Sequence, residues 1–163
     1  MHLAVTLPYM CRLVAYSSQH SDGVIAVVRA VHDEHGFTWE ADGYHKDLYD
    51  IDRHYLQAGL FWTLVDGERI IGCVGVTLHG RECELHRLYL LQEYRGRGLG
   101  RKMLDEAVSF GRMKGCQRMI AWSDVKLADA HVLYRKSGFV QEGERICDDP
   151  DQSREYGFWK EPL

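Results

Sequence analysis

The spacing of apolar residues changes several times along the 163-residue chain, and each change marks an element. Residues 11–16, CRLVAY, are a short apolar run that predicts a strand. SDGVIAVVRAVHDEHG follows with apolar positions at helical spacing, Ser21 or Asp22 as N-cap, and Gly36 past its end. Residues 44–58 carry a weaker helical repeat. The spacing then shortens. LFWTLV (60–65), Asp66-Gly67 and RIIGCVGVTL (69–78) predict a hairpin on a tight Asp-Gly turn. After His79-Gly80-Arg81, ECELHRLYLL (82–91) alternates imperfectly, as a strand covered on both faces or carrying a bulge would. From Gly100, apolar Met103, Leu104, Ala107, Val108 and Phe110 fall on one side of a helix that Gly115 ends. RMIAWS (118–123) predicts a strand, and LADAHVLYRKSG (127–138) a helix closed by Gly138. FVQEGERI and REYGFW flank the DDPDQ turn as two late strands. The order β-α-α-β-β-β-α-β-α-β-β describes one mixed α/β domain over residues 1–163, with no repeat or linker to divide it.

The junction at EYRGRGLGRKMLDEAV (93–108) carries the first chemical signal. A strand, a glycine-rich turn and a helix start make an anion site. The first helical amides lack intrahelical partners, and the helix dipole is positive there. Gly96, Gly98 and Gly100 let the backbone approach phosphate oxygens, and Arg95, Arg97 and Arg101 can add charge-assisted hydrogen bonds. Two common phosphate motifs fail here. GxGxxG starting at Gly96 needs glycine at 101, where the chain has Arg101. GxxxxGK[ST] needs glycine at 101 and a hydroxyl at 103, where Met103 stands.

Charge and cysteine content narrow the classes. A net charge of −4 and a pI near 6.1 argue against a nucleic-acid binder, and the basic cluster at 95–101 is too short for a duplex track. Five cysteines, none in a CxxC pair, read as reduced thiols of a cytoplasmic protein. MHLAVTLPYMCRLVAYSS has no charged leader before a long apolar core, and no run approaches a membrane span. His32, His35, His45 and His54 invite a metal reading, but no Cys or carboxylate joins them at a ligand spacing, so no metal is expected.

Arg95-x-x-Gly98-x-Gly100, after a strand and opening a helix, resembles the Q/R-x-x-G-x-G/A loop of the GNAT superfamily of acyl-CoA-dependent N-acyltransferases. ECELHRLYLLQEYRG upstream looks like that family's fourth strand. Ala130-His131-Val132-Leu133-Tyr134 with Gly138-Phe139 looks like its A-x-x-L-Y-x-x-x-G-F segment. The resemblance covers about residues 11–160. It implies a GNAT fold, with a mixed sheet of six to seven strands, about four helices and a splay between strands 4 and 5. Acetyl-CoA would lie in that splay as co-substrate. Its pantetheine would pair with Leu88, Tyr89 and Leu90, and its pyrophosphate would rest on Arg95, Gly96, Arg97, Gly98, Leu99, Gly100 and Arg101.

The same resemblance implies Glu84 as the base that deprotonates an amine, with His86 in reserve, a backbone N–H at Leu90 for the oxyanion, and Tyr134 as the acid for the thiolate. At the position where many members have an asparagine beside the pantetheine, this chain has Leu127. Ser123, Asp124 or Asp129 are the substitutes to consider. Residues 33–52 hold seven acids and one lysine, interleaved with Trp39, Tyr44 and Tyr49, which suits a cationic amine acceptor, small or peptidic. A module on the same fold that only binds acyl-CoA or a protein stays open as the alternative. So does a homodimer in which the C-terminal FWKEPL strand pairs across the interface.

Overall fold

A computed structural model describes residues 10–163; the amino-terminal reading above falls largely on residues 1–9, outside the described residues. Seven strands form one sheet: β1 (Cys11–Ala15), β2 (Gly59–Asp66), β3 (Arg69–His79), β4 (Glu82–Leu90), β5 (Arg118–Asp124), β6 (Val140–Ile146) and β7 (Arg154–Lys160), in the order β1-β2-β3-β4-β5-β7-β6. Among the described residues three α-helices accompany them: α1 (Ser21–His35), α2 (Leu99–Met113) and α3 (Ala128–Lys136). Short helical turns at Lys46–Tyr49 and Asp52–Leu56 occupy the fourth helical place.

β4 and β5 are parallel, while every other neighbouring pair is antiparallel. Their ladder runs only from Glu82↔Arg118 to Leu85↔Ala121 and then stops. β5 continues to Asp124 on its other edge, paired with β7. Beyond Leu85 and Ala121 the two strands therefore part, and the sheet opens in a V at its centre.

Adjacent side chains of one strand point to opposite faces and recruit different neighbours. On β2, Trp62 meets Phe110 of α2 at 5.3 Å, while Phe61 meets Tyr55 at 5.0 Å on the other face. The apolar stripe of α1, Val24, Val27, Val28 and Val31, is buried. So is the matching stripe of α2, Met103, Leu104, Ala107 and Val108. The helices thus clamp the sheet around β3 and β4.

Local expectations needed four adjustments. Residues 44–58 are not one helix: the chain breaks at Asp50 (φ −150°, ψ 64°), whose carboxylate accepts from the Arg53 N–H and starts a second turn. Neither Ser21 nor Asp22 caps α1; a 3-10 turn at Ser18–His20 leads into it, with the His20 ring accepting from the Ser17 N–H. The first hairpin loop is Gly67-Glu68, one residue later than expected, with Gly67 at φ 61°. Finally, β7 lies between β5 and β6 with both edges paired, so the C-terminal strand has no free edge for a dimer. Gly36 and Gly138 do end their helices in left-handed conformation.

Candidate active site

Opposite Val74 of β3, strand β4 carries one residue too many. Cys73 pairs with Tyr89 and Gly75 with His86, so Arg87 and Leu88 bulge against a single partner. Arg87 takes the left-handed φ of 51°, which costs a side-chain-bearing residue about 1–2 kcal/mol. Its side chain supplies the compensation. Nη2 and Nε donate to the two oxygens of Asp47 at 2.7 and 3.0 Å, Nη2 also reaches the Tyr44 carbonyl at 2.9 Å, and the guanidinium lies 4.9 Å from the Tyr44 ring. Tyr55 donates to the same carboxylate at 2.5 Å. Burial works against the charged Asp47, but the Arg87 charge and hydrogen bonds outweigh it and hold its pKa below the usual carboxylate value.

The bulge also sets the backbone direction beyond it. The Leu91 N–H donates to the Ile71 carbonyl on the β3 side. Strand alternation then turns the Leu90 N–H the other way, toward the V, where β5 no longer pairs.

Two clefts open along the V. One, of about 710 Å³, is lined by Glu84, His86, Arg87, Trp122, Tyr134 and neighbours from residues 32–55 and 145–155. The other, of about 750 Å³, is lined by the glycine-rich turn, the start of α2 and one side of α3. They share Leu88, Tyr89, Leu127 and Ala130, which mark their junction.

The second cleft gathers most of the residues expected to hold the cofactor: Leu88, Tyr89, Leu90, Arg95, Gly96, Gly98, Gly100 and Arg101. Arg97 and Leu99 stand outside it. Arg97 turns back to the Glu93 carbonyl at 3.1 Å and lies over the Tyr94 ring, and Leu99 packs on the core. Gly96 and Gly98 sit at φ 77° and 79°, and Gly98 precedes the first turn of α2, so its left-handed backbone aims the free amides of that turn outward. Arg95 braces this turn: Nε donates to the Leu90 carbonyl at 3.0 Å and Nη1 pairs with Glu34 of α1 at 2.6 Å. Arg101 pairs with Asp105 on its own helix at 3.0 Å. Lys126 and Lys136 add positive charge to the wall, and nothing in the sequence pattern singled them out.

The first cleft holds both expected working side chains. Tyr134 is 5% exposed, and burial raises its pKa well above that of a free phenol. Glu84 is raised mainly by burial. His86 moves the other way, to about 4, because burial and Arg87 disfavour its cation, and its Nε2 is 2.8 Å from Thr77 Oγ1. Of the substitutes for the missing asparagine, Asp129 faces the second cleft, while Ser123 and Asp124 face the first. Ser123 is engaged by His131 at 3.1 Å, and Asp124 accepts from the Lys126 N–H.

The acidic rim is built from other residues than expected. Of the acids between 33 and 52, only Glu40 and Asp47 line the first cleft. Asp47 is spent on Arg87, and Glu40 accepts from the Tyr44 N–H. Glu84, Asp124, Asp148, Asp149 and Glu155 provide the rest, against Lys46, Arg87 and Arg145. Trp39 turns inward and stacks on His45 at 4.0 Å, while Tyr55 and Trp122 join Tyr44 in the wall. Thr38 clasps Asp151 through two 2.7 Å hydrogen bonds, tying the loop after α1 to the β6–β7 turn. His32 and His35 do not act together: His35 stacks on Phe37, and His32 points into the protein.

Comparison with known proteins bears on the whole arrangement. The profile of the Acetyltransferase (GNAT) family matches residues 24–139. An uncharacterized N-acetyltransferase of Escherichia coli K12, YjgM, is 30% identical over 148 residues, covering 85% of each chain. N-acetyltransferase family 8 member 3 of Rattus norvegicus is 29% identical over 108 residues, 61% of this chain and 47% of the relative. The chain thus spans about half the length of the mammalian relative it matches. Among solved structures, a GNAT-family acetyltransferase of Staphylococcus aureus superposes with a TM-score of 0.82 at 19% identity, over 93% of this chain and 98% of that one. The ribosomal-protein-S18-alanine N-acetyltransferase of Escherichia coli superposes at 0.75 and 15% identity, over 94% of each chain. These two likenesses speak to the fold.

Proposed function

This chain belongs to the GNAT acetyltransferase family, and we propose that it transfers an acetyl group from acetyl-CoA to the primary amine of a cationic acceptor. The observation that carries the reading is the meeting of two chemically different clefts at Leu88, Tyr89, Leu127 and Ala130. One presents backbone amides, arginine and lysine, which suit a diphosphate; the other is lined by carboxylates and aromatic rings, which suit an ammonium group. A thioester and an amine entering from opposite sides would meet at that junction.

The chemistry falls to few groups. Glu84 takes a proton from the acceptor ammonium, directly or through one water, and burial raises its pKa toward a working range. His86, pushed down to about 4 and engaged by Thr77, is the weaker base, and this favours Glu84. The neutral nitrogen bonds to the thioester carbonyl carbon, and the Leu90 N–H meets the oxygen that gains charge. As the carbon–sulfur bond breaks, Tyr134 gives its proton to the sulfur and is reprotonated from the proton that the new amide nitrogen sheds. Arg95 holds the phosphate turn in place, leaving the diphosphate to the amides of residues 96–100 and to Arg101, Lys126 and Lys136.

Acetyl-CoA turnover with a panel of primary amines, read as free thiol, tests this. Tyr134→Phe is expected to lower turnover at least tenfold while the affinity for acetyl-CoA stays within about twofold. Unchanged turnover removes Tyr134 from the mechanism. Wild-type protein that binds acetyl-CoA and transfers to no amine favours a ligand-binding module.

A further inference from the structure

Four polar groups run in series from the Glu40 backbone, through two buried histidines, to the junction of the clefts. The Glu40 N–H donates to His45 Nδ1 at 3.1 Å, His45 Nε2 lies 3.1 Å from His32 Nδ1, and His32 Nε2 lies 3.3 Å from the Tyr89 hydroxyl. His32 and His45 are 4% and 1% exposed and boxed by Phe37, Trp39 and Tyr44. Burial holds both neutral, with pKa values near 3 and 4.

The direction of this chain is fixed at its Glu40 end. A backbone N–H can only donate, so His45 Nδ1 carries no proton and its Nε2 does. His45 therefore donates to His32 Nδ1, and His32 carries its own proton on Nε2. That proton goes to the Tyr89 oxygen. The Tyr89 oxygen is then an acceptor from inside, and its own O–H is left to donate elsewhere. Tyr89 lines both clefts, at the junction, and its phenol is close enough to Tyr134 to oppose that residue's ionisation. Two core histidines needed only for packing would be satisfied by each other and by backbone. This pair instead spends its outermost proton on a phenol at the cleft.

We propose that Tyr89 supplies a second hydroxyl donor at the reaction centre, and that His32 and His45 are positioning residues that orient it. The inference rests on the acyl-transfer reading above. The chain does not conduct protons: behind His45 stands the Glu40 backbone amide, which does not give up its proton to resupply the series. What it provides is a donor of fixed direction for the sulfur of the acyl carrier, where Tyr134 gives the proton.

Two measurements without turnover test this. Nitrogen-15 imidazole spectra of the wild type should show His45 and His32 both protonated on Nε2; the opposite tautomer on either overturns the proposal. Calorimetry should show CoA binding more tightly than desulfo-CoA, which lacks the sulfur, by about three- to tenfold, the range of one hydrogen bond. In a Tyr134→Phe background, which removes the other donor to the sulfur, Tyr89→Phe, which keeps the ring, should erase that ratio. His32→Leu should erase it too, while His32→Gln, whose amide can both accept from His45 and donate to Tyr89, should restore it. A ratio that survives Tyr89→Phe overturns the donor role, and one that survives His32→Leu but not Tyr89→Phe overturns the positioning role. Wild type that binds CoA and desulfo-CoA equally overturns this inference alone. Wild type that binds neither overturns the acyl-transfer reading and this inference with it.

Discussion

Asp47→Asn probes the ion pair that anchors the β4 bulge. Arg87 and Asp47 are 9% and 15% exposed at their side chains and joined by two hydrogen bonds of 2.7 and 3.0 Å. Removing one charge leaves the guanidinium buried without its counter-ion, a change that costs about 3–5 kcal/mol. At about 2–4 °C per kcal/mol for a domain of this size, the melting temperature should fall by roughly 6–20 °C. Urea unfolding at pH 7 is the assay, because there the wild-type Asp47 is fully ionised. The pH dependence follows from its lowered pKa. The stability it contributes is present above its unfolded value of 3.8 and is lost as pH falls through the lower folded value. Two buried histidines and the partly exposed His86 titrate earlier. His32, His45 and His86 have folded values near 3, 4 and 4 against 6.5 unfolded, so their share is present above pH 6.5 and erodes below it. Asp47→Asn should therefore keep a decline between pH 6.5 and 4.5, since burial still lowers the histidine pKa values, and flatten the one below pH 4. Asp47→Asn with Arg87→Met should recover much of the loss. A loss under about 1 kcal/mol for Asp47→Asn, the range of an exposed pair, refutes the anchoring role.

Glu84→Gln should lower kcat about a hundredfold and remove the acid limb of the kcat/KM profile, which in the wild type should lie above the ordinary glutamate value of 4.5; a limb that persists in the variant assigns it to another group. Gly98→Ala places a side chain at φ 79° and should cost about 1–2 kcal/mol in urea unfolding while weakening acetyl-CoA binding, with calorimetry reading the second effect; unchanged affinity would show that the turn does not hold the diphosphate. Asp148→Asn together with Asp149→Asn should raise KM for a diamine more than for a monoamine and leave acetyl-CoA affinity alone; equal effects on both amines would remove the β6–β7 turn from acceptor recognition.

Sequence determined what depends on near neighbours in the chain. The apolar spacing set the strands around the site and helices α1, α2 and α3, and glycine at left-handed positions fixed the turn before α2 and the ends of α1 and α3. Arg95-x-x-Gly98-x-Gly100 and Ala130–Tyr134 carry the family signature in contiguous residues, so the residues lining the second cleft were largely readable. Tertiary structure alone decided what depends on distant residues. Arg87 reads as one more strand residue until the register with β3 shows that β4 holds an extra residue there, and only then does Asp47, forty positions earlier, become its partner. The run at 44–58 looked helical because its local pattern permits a helix; pairing Asp47 with Arg87, packing Tyr55 on His86 and burying His45 beside His32 required a broken chain instead. The acids of residues 33–52 were counted as a rim, yet pairing consumes several of them and the β6–β7 turn supplies Asp148 and Asp149 from a hundred residues away. Hydrogen bonds and ion pairs act over a few ångströms of space, and composition along a chain does not record which segments the sheet will bring that close.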